Sequence, residues 1–291
     1  QWIDDASNSQ VGVRVNPELG TGTIAHTSVA SRDSKFGIPM SSGRQEIIES
    51  FTRYRWLTGL HVHVGSQGCE LSMLVDAASK IDELRKQIQE AAGRPVEFVD
   101  IGGGLPTVYL SDQSPPSPRD YIGELRRCVP DMLDGSVELI TEFGRAVQAG
   151  CGVTFSRVEY VRPEQSIAVV HVGADFLMRP VYASKDWKHE FFVLDAEGRP
   201  KQSDSAPLTI AGPLCFSGDI IAREVPLPAV ESGDWLVIRD TGAYTLAMWS
   251  RYNSRQAPLV VGYQRRPDRT LRFEVLKPRE SVESVLRFWG V

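Results

Sequence analysis

The chain has little of what would tie it to a metal cluster, a membrane or a nucleic acid. Cysteine is scarce: Cys69, Cys128, Cys151 and Cys215 stand far apart and form no Cys-x-x-Cys pair. Such spacing argues against a zinc site and a disulfide scaffold and suits reduced thiols in a cytoplasmic protein. Basic charge is in deficit, with 32 Lys and Arg against 37 Asp and Glu and a formal net charge of −5. Without clustered cations there is no counterion release to drive binding to nucleic acid or an anionic membrane. No apolar run approaches the roughly 18 residues that cross a bilayer. No leader peptide is expected, and the first residue is Gln1 rather than Met, the start expected of a trimmed or partial chain. What remains is 291 residues, 42% hydrophobic, with room for two domains with ordinary cores.

In the first half, strand and helix alternate. Residues 11–16 (VGVRVN) alternate apolar and polar side chains and stop at Pro17. A helix is expected over 42–54 and a second strand over 60–65 (LHVHVG). Leu74, Ala78, Ile81, Leu84, Ile88 and Ala91 recur at three- and four-residue spacing, one buried stripe of a long helix that Gly93 and Pro95 close. The third strand, 96–101 (VEFVDI), runs into Gly102, Gly103 and Gly104. A Pro/Ser-rich loop over 112–118 ends with Ser117 as N-cap and Pro118 at the first position of a helix to about Cys128. The fourth strand, 137–141 (VELIT), leads to Glu142 and a short helix from about Gly144. Four βα units suit either a doubly wound sheet or part of a β/α barrel; a barrel needs eight, and the others would lie before Gln1. Half a barrel, with two unpaired strand edges and an open core, is expected to fold poorly alone.

From about Phe155 the character changes. Residues 167–172, 191–194, 207–210, 234–239, 258–262 and 270–275 are short β-rich runs separated by Gly, Pro and Asp. They predict an antiparallel sandwich or barrel, closed by an amphipathic helix over 281–289. The expected division is residues 1–154 and 155–291.

Strand ends carry the chemistry in such folds. The second strand ends in His63, Gly65, Ser66 and Gln67, the third in Asp100 and three glycines, the fourth in Glu142, Gly144 and Arg145. Glycines let the backbone approach an anion and aim N–H groups at it, and Ser66 and Arg145 add a hydroxyl and a guanidinium suited to phosphate. His61 and His63 share one face of their strand, but two histidines are too few for a metal, and His26, His171 and His189 are not at these strand ends. No metal is expected, and His61 reads as structural. An acid beside a phosphate site needs a facing cation, and a protonated pyridine nitrogen is one, so Glu142 would hold such a ring as an electron sink.

These motifs, in order VGVRVNP, DSKFGIP, GLHVHVGSQ, VDIGGGLP, TEFGRA, GPLCFSGD, TGAY and YNSRQAP, resemble the fold-type III pyridoxal-phosphate decarboxylases, closest to the diaminopimelate branch. The resemblance implies the C-terminal half of an alanine-racemase-like β/α barrel followed by the β domain, with pyridoxal 5'-phosphate as cofactor. It implies that His63 stacks on the pyridine ring and that Ser66, Gly102, Gly103, Gly104, Gly144 and Arg145 hold the phosphate. Glu142 would pair with the ring nitrogen, Tyr244 would close on the phosphate, and Arg14 would join the polar network near the ring. Cys215 would come from the partner of a head-to-tail homodimer and return a proton after carbon dioxide leaves. Arg179 and Tyr182 lie near the family's substrate-carboxylate positions, one residue short in spacing.

Three departures stand out. The family's cofactor-linked lysine belongs to an early strand, and none of Lys35, Lys80, Lys86, Lys185, Lys188, Lys201 and Lys277 stands in its motif. Phe143 replaces a proline between Glu142 and Gly144. Phe216 stands where relatives carry the acid that receives the substrate's distal ammonium, so the substrate is expected to be an amino acid or conjugate other than diaminopimelate. A phenyl ring offers that ammonium only a cation–π contact. The competing readings are a catalytically silent homologue acting as a binding protein, which the absent lysine favours, and a related racemase.

Overall fold

In a computed structural model that describes residues 10–24 and 27–291, the chain divides into two compact units, Gln1–Cys151 and Gly152–Val291. His26, set aside above as a ligand, lies outside the described residues.

The first unit is built on a parallel sheet. Its elements are β1 (Gly12–Asn16), β2 (Ile38–Pro39), α1 (Met40–Arg53), β3 (Gly59–Val62), α2 (Leu71–Ala92), β4 (Phe98–Asp100), α3 (Pro118–Cys128), β5 (Glu138–Ile140) and α4 (Gly144–Gln148). The strand order is β2-β1-β3-β4-β5, all parallel. Four strands were expected; the fifth, β2, has only two residues and carries Pro39, too short a run for apolar alternation to register. The helices form where their ends are specified. Ser117 Oγ accepts from the Asp120 N–H while the Asp120 carboxylate accepts from the Ser117 N–H, a reciprocal cap with Pro118 at the first turn. Gly93 ends α2 at φ 64°, a left-handed conformation that costs a residue without a Cβ little. Leu74, Ala78, Ile81, Leu84 and Ile88 are buried on α2 as the spacing predicted, against Leu60, Val62 and Val99 of the sheet, in one core, whereas Ala91, the last member of that stripe, is exposed in the final turn.

The second unit holds β6 (Thr154–Arg162), β7 (Ile167–Val170), α5 (Met178–Tyr182), β8 (Phe191–Leu194), β9 (Ala206–Ala211), β10 (Ile220–Leu227), β11 (Trp235–Ile238), β12 (Val260–Arg265), β13 (Leu271–Lys277) and α6 (Val282–Phe288). Six strands form one sheet in the order β10-β9-β7-β6-β11-β8, and β12 and β13 form a separate ribbon. The expectation of an antiparallel domain needs correction at one pair: β7 and β9 run parallel. The connection between them carries α5 and β8, the long crossover that parallel neighbours require. Two strands of the sheet are absent from the sequence reading. β6 buries only Ser156 and Val158 and carries Arg157, Glu159 and Arg162. β10 contains Pro226, tolerated because β10 is an edge strand. No helix among the described residues is long and apolar enough to cross a membrane.

Candidate active site

Parallel register sets Arg14, His61 and Asp100 side by side on β1, β3 and β4. Just past the ends of β3, β4 and β5 stand His63, Gly102 and Glu142. The strand ends therefore bring the expected residues of the first unit to one rim.

The three glycines have a more specific task than flexibility. A Cβ on Gly102 would lie 2.4 Å from the Val62 carbonyl oxygen, and one on Gly103 would lie 2.6 Å from that of Glu142. Adjacent strand ends touch through backbone here, and only glycine fits. The glycine N–H groups are not all aimed outward. Gly102 N–H donates to Asp100 Oδ1 (2.8 Å) and Gly103 N–H donates to His63 Nδ1 (2.9 Å). Of the three, only the Gly104 N–H is without a hydrogen bond among the described residues. The expectation of three backbone donors for one anion is thus reduced to one.

Ser66 and Arg145 complete that corner. Arg145 is 4% exposed; its Nε and Nη2 donate to Ser66 Oγ (3.2 and 3.1 Å) and its Nη1 donates to Tyr109 Oη (2.6 Å). A hydroxyl that accepts twice from a guanidinium keeps its own proton for a third group. Gly104 N–H, Ser66 O–H and Arg145 thus form an anion-receiving corner. Gly144 opens α4 immediately before Arg145, and Phe143, in place of a proline, packs edge-on against Tyr121 at 5.7 Å.

The other end of the rim is acidic. Glu142 is anchored by its backbone, its N–H donating to Gly102 O (2.9 Å) and its carbonyl accepting from Gly144 (2.7 Å). Its half-exposed carboxylate faces two imidazoles, with Oε2 3.7 Å from His61 Nε2 and 3.9 Å from His63 Nδ1. Burial first, then the charges of Arg14 and His61, hold His63 down to about 4. Burial likewise lowers His61, against the raising effect of Asp100 and Glu142. Arg14 stacks over the Phe36 ring at 4.5 Å, and the field of Glu142 opposes the lowering that burial imposes on its guanidinium. His61 was read as structural. It stands inside this network, as do Asp100 and, at the anion corner, Tyr109, none of which the sequence reading assigned to the site. Adjacency to His63 and to the glycines was the available signal for the first two. Donor atoms of His61, Asp100 and Glu142 lie within 4.8 Å of one another, but Asp100 Oδ1 is already held by Gly102 and Arg14 adds a cation, the pattern of a charge network.

Cys215, Phe216, Arg179, Tyr182 and Tyr244 belong to the second unit. Asn253 Nδ2 donates to Cys215 Sγ (2.9 Å), Asn253 Oδ1 accepts from the Cys215 N–H (3.1 Å), and Tyr252 Oη lies 3.5 Å from the sulfur. Hydrogen bonding to Tyr252, then to Asn253, lowers the thiol from its ordinary range. The loop is held by buried Asp219, whose carboxylate accepts from Ala174 (2.7 Å) and Leu214 (2.8 Å) N–H. Phe216 lies parallel to Tyr182 at 6.0 Å and edge-on to Tyr252 at 6.1 Å. Arg179 sits over the rings of Tyr244 (4.0 Å) and Trp187 (4.6 Å). Tyr252, Asn253 and Asp219 lie within motifs quoted above but had been given no role.

Residues 3–149 match the family described as "Pyridoxal-dependent decarboxylase, pyridoxal binding domain". Diaminopimelate decarboxylase of Streptomyces coelicolor is 37% identical over 279 residues, 89% of this chain and 61% of the relative. That of Zymomonas mobilis is 32% identical over 281 residues, covering 95% and 63%. The crystal structure of diaminopimelate decarboxylase from Helicobacter pylori complexed with L-lysine is 26% identical with a TM-score of 0.82, covering 97% of this chain and 67% of that one. The chain spans about three fifths of the length of the curated relatives it matches.

Proposed function

Since the chain belongs to the pyridoxal-dependent decarboxylase family, we propose that the protein is a carboxy-lyase releasing carbon dioxide from an amino acid or amino-acid conjugate. The observation that carries this reading is the two-ended rim: an anion corner of Gly104, Ser66 and Arg145, and the carboxylate of Glu142 beside two imidazoles. Pyridoxal 5'-phosphate fits both ends. Its phosphate would take the Gly104 N–H, the Ser66 hydroxyl and Arg145, and Glu142 would hold the ring N–H. His63 would present a neutral ring, because its Nδ1 lone pair is occupied by the Gly103 N–H. Bound there, the cofactor supplies an electron sink for the pair left on Cα as carbon dioxide departs. In a head-to-tail dimer the Cys215 thiol, tuned by Tyr252 and Asn253, would come from the partner subunit and return the proton to Cα, and Tyr244 and Arg179 would meet anionic groups.

The finer structural reading is that the parallel sheet is part of a β/α barrel, that the β unit is of the sandwich or barrel kind, and that the working form is a cytoplasmic head-to-tail homodimer. The relatives' names make a diamino acid the first substrate to test. Phe216, between the rings of Tyr182 and Tyr252, presents no carboxylate to a distal ammonium, so an amino acid with an uncharged distal end should be preferred. The test is carbon dioxide release by the full-length protein, loaded with pyridoxal phosphate, from a broad amino-acid panel. Bound cofactor without release from any member would overturn the proposal.

A further inference from the structure

Of the two imidazoles that face Glu142, only one can give it a proton. His63 Nδ1 accepts the Gly103 N–H, so its proton resides on Nε2, and Nδ1, 3.9 Å from Glu142, has no proton to offer it. That contact cannot orient the carboxylate. His61 Nε2 is different. It is buried, it has no hydrogen-bond partner among the described residues, and it lies 3.7 Å from Glu142 Oε2, a few tenths of an ångström beyond hydrogen-bond length. A buried polar atom without a partner costs free energy, so a group that completes the bond must exist in the working state. The acceptor in reach is Glu142, whose carboxylate is half exposed and held only through its backbone.

We propose that His61 is a positioning residue: its Nε2–H closes on Glu142 Oε2 and holds that carboxylate aimed at the cofactor's ring nitrogen. The inference rests on the proposed function and deepens it. The charged and titratable groups around the pair are Arg14 on β1, His63 just after β3, Asp100 at the end of β4, and Glu142 itself after β5. Arg14 attracts the carboxylate through space, but its guanidinium is turned over the Phe36 ring. Asp100 Oδ1 is engaged by Gly102, and His63 Nδ1 by Gly103. An N–H donor is therefore the missing component, and burial favours the neutral form of His61. Without that donor the carboxylate is held through its backbone alone and its oxygens are not aimed.

The test measures pyridoxal phosphate affinity of the full-length protein at pH 7.5 by equilibrium dialysis, with kcat and KM taken separately. His61→Leu should bind about tenfold more weakly than wild type, with kcat reduced more than KM is raised. His61→Gln, whose amide N–H can reach the same carboxylate, should restore affinity. Leu and Gln variants that both track wild type, or that both lose affinity equally, would show a packing role and overturn the inference. If wild type binds no pyridoxal phosphate, the proposed function fails and this inference falls with it. Binding that ignores His61 sinks the inference alone.

Discussion

Arg145 shows how much of a residue's role depends on what encloses it. The motif that contains it suggests a phosphate ligand, but two hydroxyls, those of Ser66 and Tyr109, make it a fixed one. A hydrogen bond to a charged group contributes about 1.5–3 kcal/mol, so Arg145→Ala should weaken pyridoxal phosphate binding about ten- to a hundredfold in a fluorescence titration. Cysteine chemistry divides equally clearly. Cys215 is exposed and its thiol is lowered by Tyr252 and Asn253, whereas Cys69 is buried and its thiol is pushed up to about 11. The thiolate is the nucleophile. Iodoacetamide at pH 7.5 should therefore label Cys215 well before Cys69, and Tyr252→Phe should slow that labelling; mass spectrometry of peptides reads both. His63, the glycines, Glu142 and Arg145 were legible because each lies in a short contiguous motif at a strand end. His61 and Tyr109 were not, because their roles arise from partners distant in the chain: Tyr109 meets Arg145 across 36 residues.

At the scale of elements, end signals are the most readable feature. Ser117 and Pro118 announce α3, and the structure adds the reciprocal Asp120 bond. Removing such a cap costs about 1 kcal/mol. Ser117→Ala should lower stability by that amount in urea titration and leave cofactor affinity unchanged. Gly103 is the opposite case. Its substitution by Ala places a Cβ 2.6 Å from the Glu142 carbonyl and must push β4 and β5 apart at their ends. A cost of about 1–3 kcal/mol is expected from forced overpacking, together with weakened cofactor binding, since Glu142 moves with its backbone. Parallel measurement of unfolding and of dialysis affinity distinguishes the two variants. β6 and β10 escaped the sequence reading for reasons of chemistry: one is largely exposed and interrupted by Arg157, Glu159 and Arg162, and the other contains a proline.

For the molecule as a whole, pH is the sharpest probe. An unfolded imidazole takes its proton near 6.5, while buried His63 resists until about 4. Between those values the unfolded state binds more protons, so stability falls as pH falls, by on the order of 3 kcal/mol from this residue. Urea unfolding at pH 7.5 and 4.5 should show that loss, and His63→Gln should flatten the slope. Sheet pairing was the least legible level. Alternation marks where strands are, but the parallel pairing of β7 with β9 is decided by a crossover through α5 and β8, which no local pattern records. The β12–β13 ribbon has a consequence of another kind. Its register places Val261 opposite Val275 and Tyr263 opposite Phe273, on the same face as Leu271, and all five are exposed. In a test tube this greasy ribbon governs handling: the second unit prepared by itself should cling to hydrophobic chromatography resins and cloud as ammonium sulfate is raised.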